Sequence, residues 1–162
     1  MSSPKSRDWA IIGGMRLWRV RGLFVSLSVI IINMSYSMNE ETKKQLAADP
    51  DGLLTYEYIA NHIDSCDDCI EFLIDNMIKV DLTGQFISSA ARYLSAIDKS
   101  GFKPSIDRLV AAAIDKDREH RYLPDLLEGV YGADYRERAA ELRAADDNFR
   151  RIEKRLNPQT SL

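Results

Sequence analysis

A histidine and two cysteines lie close together in the first half of the chain. His62, Cys66 and Cys69 follow the spacing H-x-x-x-C-x-x-C. If one helix ends near His62 and the next begins near Cys66, the imidazole and both sulfurs converge, and zinc prefers such a set of ligands. The amides of the second helix's first turn also favour thiolate over thiol, which assists metal binding and redox reactivity. The spacing therefore predicts a zinc or dithiol site at these three residues.

This motif resembles the signature of the zinc-binding anti-sigma factor family, which places H-x-x-x-C-x-x-C at a junction between helices. The likeness extends over residues 53–86. It implies a small helical bundle that clasps a sigma factor, with a redox switch at the cysteines in some members. It also implies that His62, Cys66 and Cys69 are the metal ligands.

The ligand set differs from the family pattern in one respect. Family members commonly supply a further Cys or His from the preceding helix, whereas no Cys or His precedes His62 in this chain. The fourth position is therefore left to His120, to water, or to a carboxylate of Asp64, Asp67 or Asp68. The last two carboxylates also oppose thiolate formation unless a cation is present.

A second interpretation of the motif stays open. Cys66 and Cys69 can point inward beside Ile70 and Leu73 as small apolar side chains, with His62 packed next to them, because free cysteine is commonly buried. A thioredoxin-like role is weaker, since that C-x-x-C motif lies between a strand and a helix. If the chain is exported, the two cysteines can form a disulfide.

Two other groups of charged residues contain side chains that are used in catalysis or in nucleic-acid binding. His120 lies near Asp117 and Glu119, which is compatible with acid-base catalysis, but this mixture of charges at a helix end favours solvated ion pairs. Between residues 136 and 155 the basic residues alternate with acidic ones, so we expect no direct binding of nucleic acid. We predict no catalytic residue and a non-enzymatic protein.

The sequence around these residues predicts helices. Apolar residues recur at helical spacing, and no stretch alternates in the manner of a half-buried strand. The pattern predicts an all-α bundle of about six to seven helices in residues 38–162. Three helices are predicted to begin after the capping residues Thr55, Ser65 and Thr83. No internal repeat of convincing period is visible, which makes a solenoid the less favoured arrangement.

The end of the chain shows the most regular pattern. Tyr135, Leu142, Phe149 and Leu156 recur every seven residues. This spacing predicts one long amphipathic C-terminal helix of about six turns. We expect it to pack on its own domain, although it is also the predicted interface for homo-oligomers.

The first 37 residues differ from the rest in charge. They carry a net charge of +4, whereas the remainder carries −7. Arginines precede an apolar run at 23–32 and a small polar stretch, which is typical of a signal peptide but too short to cross a bilayer. Alternatively, residues 1–37 are translated from a misassigned start upstream of Met38. Both interpretations exclude this segment from the fold.

Composition limits the classes of function. The chain of 162 residues is 45% hydrophobic and has a net charge of −3, which excludes a disordered chain and gives no global sign of binding to nucleic acid or anionic membranes. We predict a cytoplasmic regulatory domain that binds another protein, such as a transcription factor, with zinc as its cofactor. The alternatives are a metal-free or self-associating adaptor and, if residues 1–37 are a signal peptide, an exported protein.

Overall fold

The chain divides into two compact units. The computed structural model describes the following residues: 11–12, 15–20, 23–26, 38–65 and 67–158. The units are Met1–Tyr36 and Ser37–Leu162.

The first unit contains a small antiparallel sheet. Its strands, paired in chain order, are β1 (Ile11–Ile12), β2 (Met15–Val20) and β3 (Leu23–Ser26). Val20 pairs with Leu23 across the β2–β3 connection. The sequence patterns predict none of these strands. The small polar stretch of the signal-like segment lies outside the described residues, so that interpretation stays a prediction.

The second unit is all-α in its described part, as predicted. Eight α-helices are described there: α1 (Glu40–Ala47), α2 (Leu53–His62), α3 (Ile70–Val80), α4 (Gln85–Asp98), α5 (Lys103–Lys116), α6 (Leu123–Tyr131), α7 (Ala139–Ala145) and α8 (Asp147–Leu156). Two short 3-10 turns, Ile63–Ser65 and Asp67–Cys69, lie between α2 and α3.

The helices of this bundle stand in two rows. In the first row α4 lies between α2 and α6, and in the second row α1, α3, α5 and α8 follow one another. The hairpins α2–α3 and α4–α5 join the rows. The bundle is therefore built as a stack of helical hairpins, each of which buries its apolar face against the next.

The apolar core runs the length of the stack between the rows. The fully buried large side chains are Ile59, Leu73, Ile74, Met77, Ile87, Leu94, Leu109, Ile114, Leu123, Leu126, Phe149 and Ile152. Most of them fall on the helical stripes that the sequence shows. Ion pairs on the second row add little stability because they are exposed, but they make that face polar; Arg108 pairs with Glu71 at 2.6 Å and Arg151 with Asp115 at 2.8 Å.

A buried aspartate begins the turn before each helix of the first row. These turns are turn 1 (residues 49–52), turn 2 (81–84) and turn 3 (117–120). In each, the aspartate carboxylate accepts a hydrogen bond from the amide six residues later, at 2.8, 2.9 and 3.0 Å. Asp49, Asp81 and Asp117 thus satisfy amides at the start of the following helix, which would otherwise have no partner.

The turns stack directly on one another. Gly52 has a φ of 99° and Gly84 a φ of 84°, a conformation that favours glycine. A Cβ on Gly52 would lie 3.0 Å from Cβ of Asp81, and one on Gly84 would lie 3.3 Å from the amide nitrogen of Asp117. Each glycine therefore also allows the next turn to approach closely.

A polar network ties the first helices together. Thr55 donates its hydroxyl hydrogen to Asp49 at 2.8 Å, and the amide nitrogen of Asn76 donates to the Thr55 hydroxyl at 2.9 Å and to the carbonyl of Leu46 at 2.8 Å. Thr55 is fully buried, as is most of Asn76. These bonds fix α2 against α3 and against the end of α1.

The predicted capping residues are wrong in three places. Helix α2 begins two residues before Thr55, which is buried within it, and α4 follows Gly84 rather than Thr83. Helix α3 begins at Ile70, and its cap residue is Cys69 rather than Ser65. The buried aspartates Asp49 and Asp81 take the capping role before α2 and α4.

The predicted long C-terminal helix is also wrong. The segment forms two helices, α7 and α8, separated at Asp146, which has an extended backbone with φ −131° and ψ 117°. The Asp146 carboxylate accepts from the amide of Phe149 at 2.9 Å and so caps α8. An aspartate in this position competes with the continuous helix, and its cap supplies the physical reason for the break.

Candidate zinc or dithiol site

The imidazole of His62 is held at the end of α2. Its Nδ1 lies 3.0 Å from the carbonyl oxygen of Tyr58, and the two rings stack with centroids 4.2 Å apart. A carbonyl can only accept, so we assign the proton of the neutral ring to Nδ1 and its lone pair to Nε2. This is the orientation in which a histidine binds a metal through Nε2.

A hydrogen bond from helix α4 also stabilises the end of α2. The hydroxyl of Tyr93 on α4 donates to the carbonyl of Ala60 at 2.9 Å. This bond satisfies a carbonyl in the last turn of α2, where carbonyl oxygens have no amide donor within the helix. The position of His62 therefore depends on α4 as well as on its own helix.

Cys69 lies directly before α3, with 4% of its surface exposed. Its sulfur belongs to a disulfide. The only other cysteine in the sequence is Cys66, which lies outside the described residues. His62 and Cys69 thus lie on the two sides of the α2–α3 connection, as predicted.

The oxidised form described here does not fit zinc. A disulfide sulfur carries no thiolate, and zinc needs the thiolate as its ligand. Among the described residues no three His, Cys, Asp or Glu side chains are grouped to hold a metal ion. Cys69 can therefore serve as a zinc ligand only after its disulfide is reduced.

His120 lies in turn 3, at the other end of the helices from His62. Helix α2 alone separates turn 1 from His62 by about 15 Å, at 1.5 Å per residue over 10 residues. His120 has a φ of 55° and occupies the place that glycine takes in turns 1 and 2. The structure therefore does not bring it to the predicted site as a fourth ligand.

The two carboxylates next to His120, which formed the less favoured acid-base interpretation, both have partners in the structure. The carboxylate of Asp117 is buried and accepts from the amides of Arg121, Tyr122 and Leu123. Glu119 forms an ion pair with Arg121 at 2.6 Å. The expected exposed ion pair is therefore present at Glu119, whereas Asp117 is buried and accepts from backbone amides instead.

The repeat of the aspartate turns was not predicted from the sequence. Asp49 and Asp81 begin the pattern D-x-x-G, and Asp117 begins D-x-x-H, with the aspartates 32 and 36 residues apart. The signal is weak because only the aspartate recurs in all three turns and the spacing varies. It becomes clear when the amide six residues later is seen to donate to each carboxylate.

Comparisons with known proteins leave the family of the chain open. No family model, curated protein or solved structure matches this chain. In the described part, no helix has both the length and the apolar character that crossing a membrane requires.

Proposed function

We propose that this chain is a non-enzymatic, cytoplasmic regulatory domain that works by binding another protein. The observation that carries the proposal is the stack of helical hairpins, with the turns before α2, α4 and α6 aligned at one edge. Stacks of this kind offer long, continuous surfaces to a partner. The resemblance to anti-sigma factors suggests a transcription factor as that partner.

The zinc or dithiol site is the proposed regulatory element. In the reduced form, His62, Cys66 and Cys69 hold zinc and tie the end of α2 to the start of α3, with the fourth position taken by water or a carboxylate. The orientation of His62, whose Nδ1 faces the Tyr58 carbonyl, supports this role. Zinc would supply a cross-link between the helices. A two-electron oxidant such as a peroxide would take the electrons from the two thiolates, release the zinc ion and leave the disulfide as the cross-link.

Metal analysis of the full chain tests this element. Protein purified with reductant and without added metal should contain one zinc per chain, and Cys66→Ser should lose it because a hydroxyl does not replace a thiolate ligand. The matched control is Glu57→Gln, which removes an exposed carboxylate of α2 that is not among the candidate ligands. Reduced protein that is free of zinc and unchanged in stability would contradict the zinc site.

A metal-free adaptor is the second candidate. The burial of Cys69 and its disulfide favour it, because a cysteine in this state acts as a structural residue. Self-association through the C-terminal helix has less support, since Phe149 and Ile152 of α8 are already buried in their own domain. Sedimentation of the full chain tests self-association, which a single monomeric species at every concentration would contradict.

A further inference from the structure

Most of the strongly exposed large apolar side chains of the described residues lie in or next to turns 1 and 2. Leu53 and Leu54 adjoin turn 1 and are 40% and 49% exposed, while Leu82 in turn 2 is 77% exposed. The fourth such residue, Ile97, lies at the far end of α4. Neighbouring apolar side chains exposed together mark interaction sites more often than scattered ones do.

Turns 2 and 3 enclose a groove beside Leu82. It has a volume of about 220 Å³, and Leu82 and Thr83 line one side while Arg118 and Tyr122 line the other. Small-molecule sites usually measure about 300–1,000 Å³. The groove is therefore suited to a single side chain of a longer ligand.

All charged side chains of the groove except Arg118 have partners within the described part of the protein. Lys116 donates to the backbone carbonyls of Ile78 and Asp81, so its ammonium group holds turn 2 in place. Asp117 is buried under backbone amides, and Arg121 pairs with Glu119.

Arg118 is exposed, and no carboxylate of the described residues pairs with it. It stands in a unit whose overall charge is strongly negative, since the residues after position 37 carry −7. The groove thus places a cation beside exposed leucines, and a ligand with the complementary pattern is apolar and acidic.

We propose that the turn edge, defined as Leu53, Leu54, Leu82, Arg118 and Tyr122, binds an extended peptide segment of another protein. The segment carries a large apolar side chain for the groove beside Leu82 and an acidic side chain for Arg118. A second copy of this chain is the competing occupant of the same surface, and sedimentation distinguishes it from a peptide. This inference rests on the proposed protein-binding function and names the partner's chemistry.

Fluorescence anisotropy of the full chain with labelled peptides tests the surface. The probe is a ten-residue peptide in which leucine alternates with glutamate, and the controls replace all glutamates by lysine or all leucines by serine. The acidic leucine peptide should bind and both controls should bind at least about tenfold more weakly. Leu82→Ser and Arg118→Glu should each weaken its binding by about tenfold or more.

Ile97→Ser is the matched control, because Ile97 is 46% exposed but lies at the end of α4 remote from the turns. It should leave binding unchanged. Equal binding of the acidic and lysine peptides, no saturable binding of the acidic peptide, or equal losses for Leu82→Ser and Ile97→Ser would each overturn the proposed surface.

The location of binding separates this inference from the proposed function. Amide shifts from the acidic peptide, followed by NMR on the full chain, should centre on turns 2 and 3. Shifts centred elsewhere would overturn the turn edge and leave the protein-binding function standing. Sedimentation of the same samples reports whether a second copy occupies the edge, an outcome that would also overturn the peptide proposal.

Discussion

Removing the carboxylate of Asp81 should destabilise the fold far more than removing an exposed carboxylate in a similar turn. Asp81 is fully buried and accepts from the amides of Thr83, Gly84 and Ile87 at 2.8, 2.9 and 2.9 Å. The bonds from Gly84 and Ile87 are buried. In Asp81→Ala these two amides lose their acceptor in a place that water reaches poorly.

The magnitude follows from the number of amides left without a partner. Each buried donor without an acceptor costs about 1–3 kcal/mol, so two cost about 2–6 kcal/mol. Asp98 provides the matched control, because it accepts from the amides of Ser100 and Gly101 at 3.1 and 2.9 Å but at an exposed site. Water replaces the lost acceptor there, and Asp98→Ala should cost about 1 kcal/mol or less.

Urea unfolding of the full chain, followed by circular dichroism, measures both costs. The free energy of unfolding should fall at least about 1 kcal/mol further for Asp81→Ala than for Asp98→Ala. If Asp81→Ala does not fold, Asp81→Asn gives the same ranking, since its side chain keeps only one acceptor oxygen for these amides. Equal losses at the two aspartates would refute the buried-turn reasoning.

Two further predictions concern the same turns. His120→Gly should stabilise the fold by about 1 kcal/mol, because His120 has a φ of 55°, which favours glycine. Gly84→Ala should destabilise the fold by about 1–2 kcal/mol, because Gly84 has a φ of 84° and the added Cβ would lie 3.3 Å from the amide nitrogen of Asp117. Thermal unfolding checks the pair, and the same sign for both would refute the argument. Burial raises the pKa of the Asp49 carboxyl, but hydrogen bonds, chiefly from Thr55, outweigh it and hold the pKa below its usual range. Asp49 therefore stabilises the fold above its unfolded pKa of about 3.9, and this contribution disappears as the pH falls through the lower folded pKa. Urea unfolding at a series of pH values should show a deficit for Asp49→Asn that shrinks at acid pH; a deficit that grows there would contradict the sign.

The helices could be predicted from the sequence because their apolar stripes are local. Leu73, Ile74 and Met77 share one face of α3 by spacing alone, and the structure buries all three. The helix starts could not be placed in this way. The sequence predicts Thr55 as a cap, yet Thr55 lies inside α2 and its own amide donates to Asp49, which lies outside the usual capping position.

The break in the C-terminal helix was hidden by the heptad pattern. Leu142 and Phe149 keep the seven-residue spacing across the break and both pack on the core. The sequence 146–148, Asp-Asp-Asn, contains residues that favour a helix cap. The same polar residues are also common on the exposed face of a continuous helix, so they do not by themselves predict a break. The competition between a cap and a continuous helix is decided by tertiary packing, which spacing does not reveal.

The helix junction at the candidate site was predicted from the sequence, whereas the chemical state of the cysteines was left open between zinc, thiols and a disulfide. The sequence places His62 and Cys69 on either side of a helix junction, and the structure agrees. Whether the sulfurs are thiols, zinc ligands or a disulfide depends on the redox compartment, which residue spacing does not encode. The zinc and dithiol roles therefore remain proposals for the reduced protein.

Native mass spectrometry of the full chain, purified with and without reductant, tests the central claim most directly. With reductant, the account predicts a chain that carries one zinc ion. Without reductant, it predicts a zinc-free chain that is lighter than the reduced chain by the two hydrogens lost in forming the disulfide. A reduced, metal-free chain under both conditions, which takes up no zinc when zinc is added, would contradict the account.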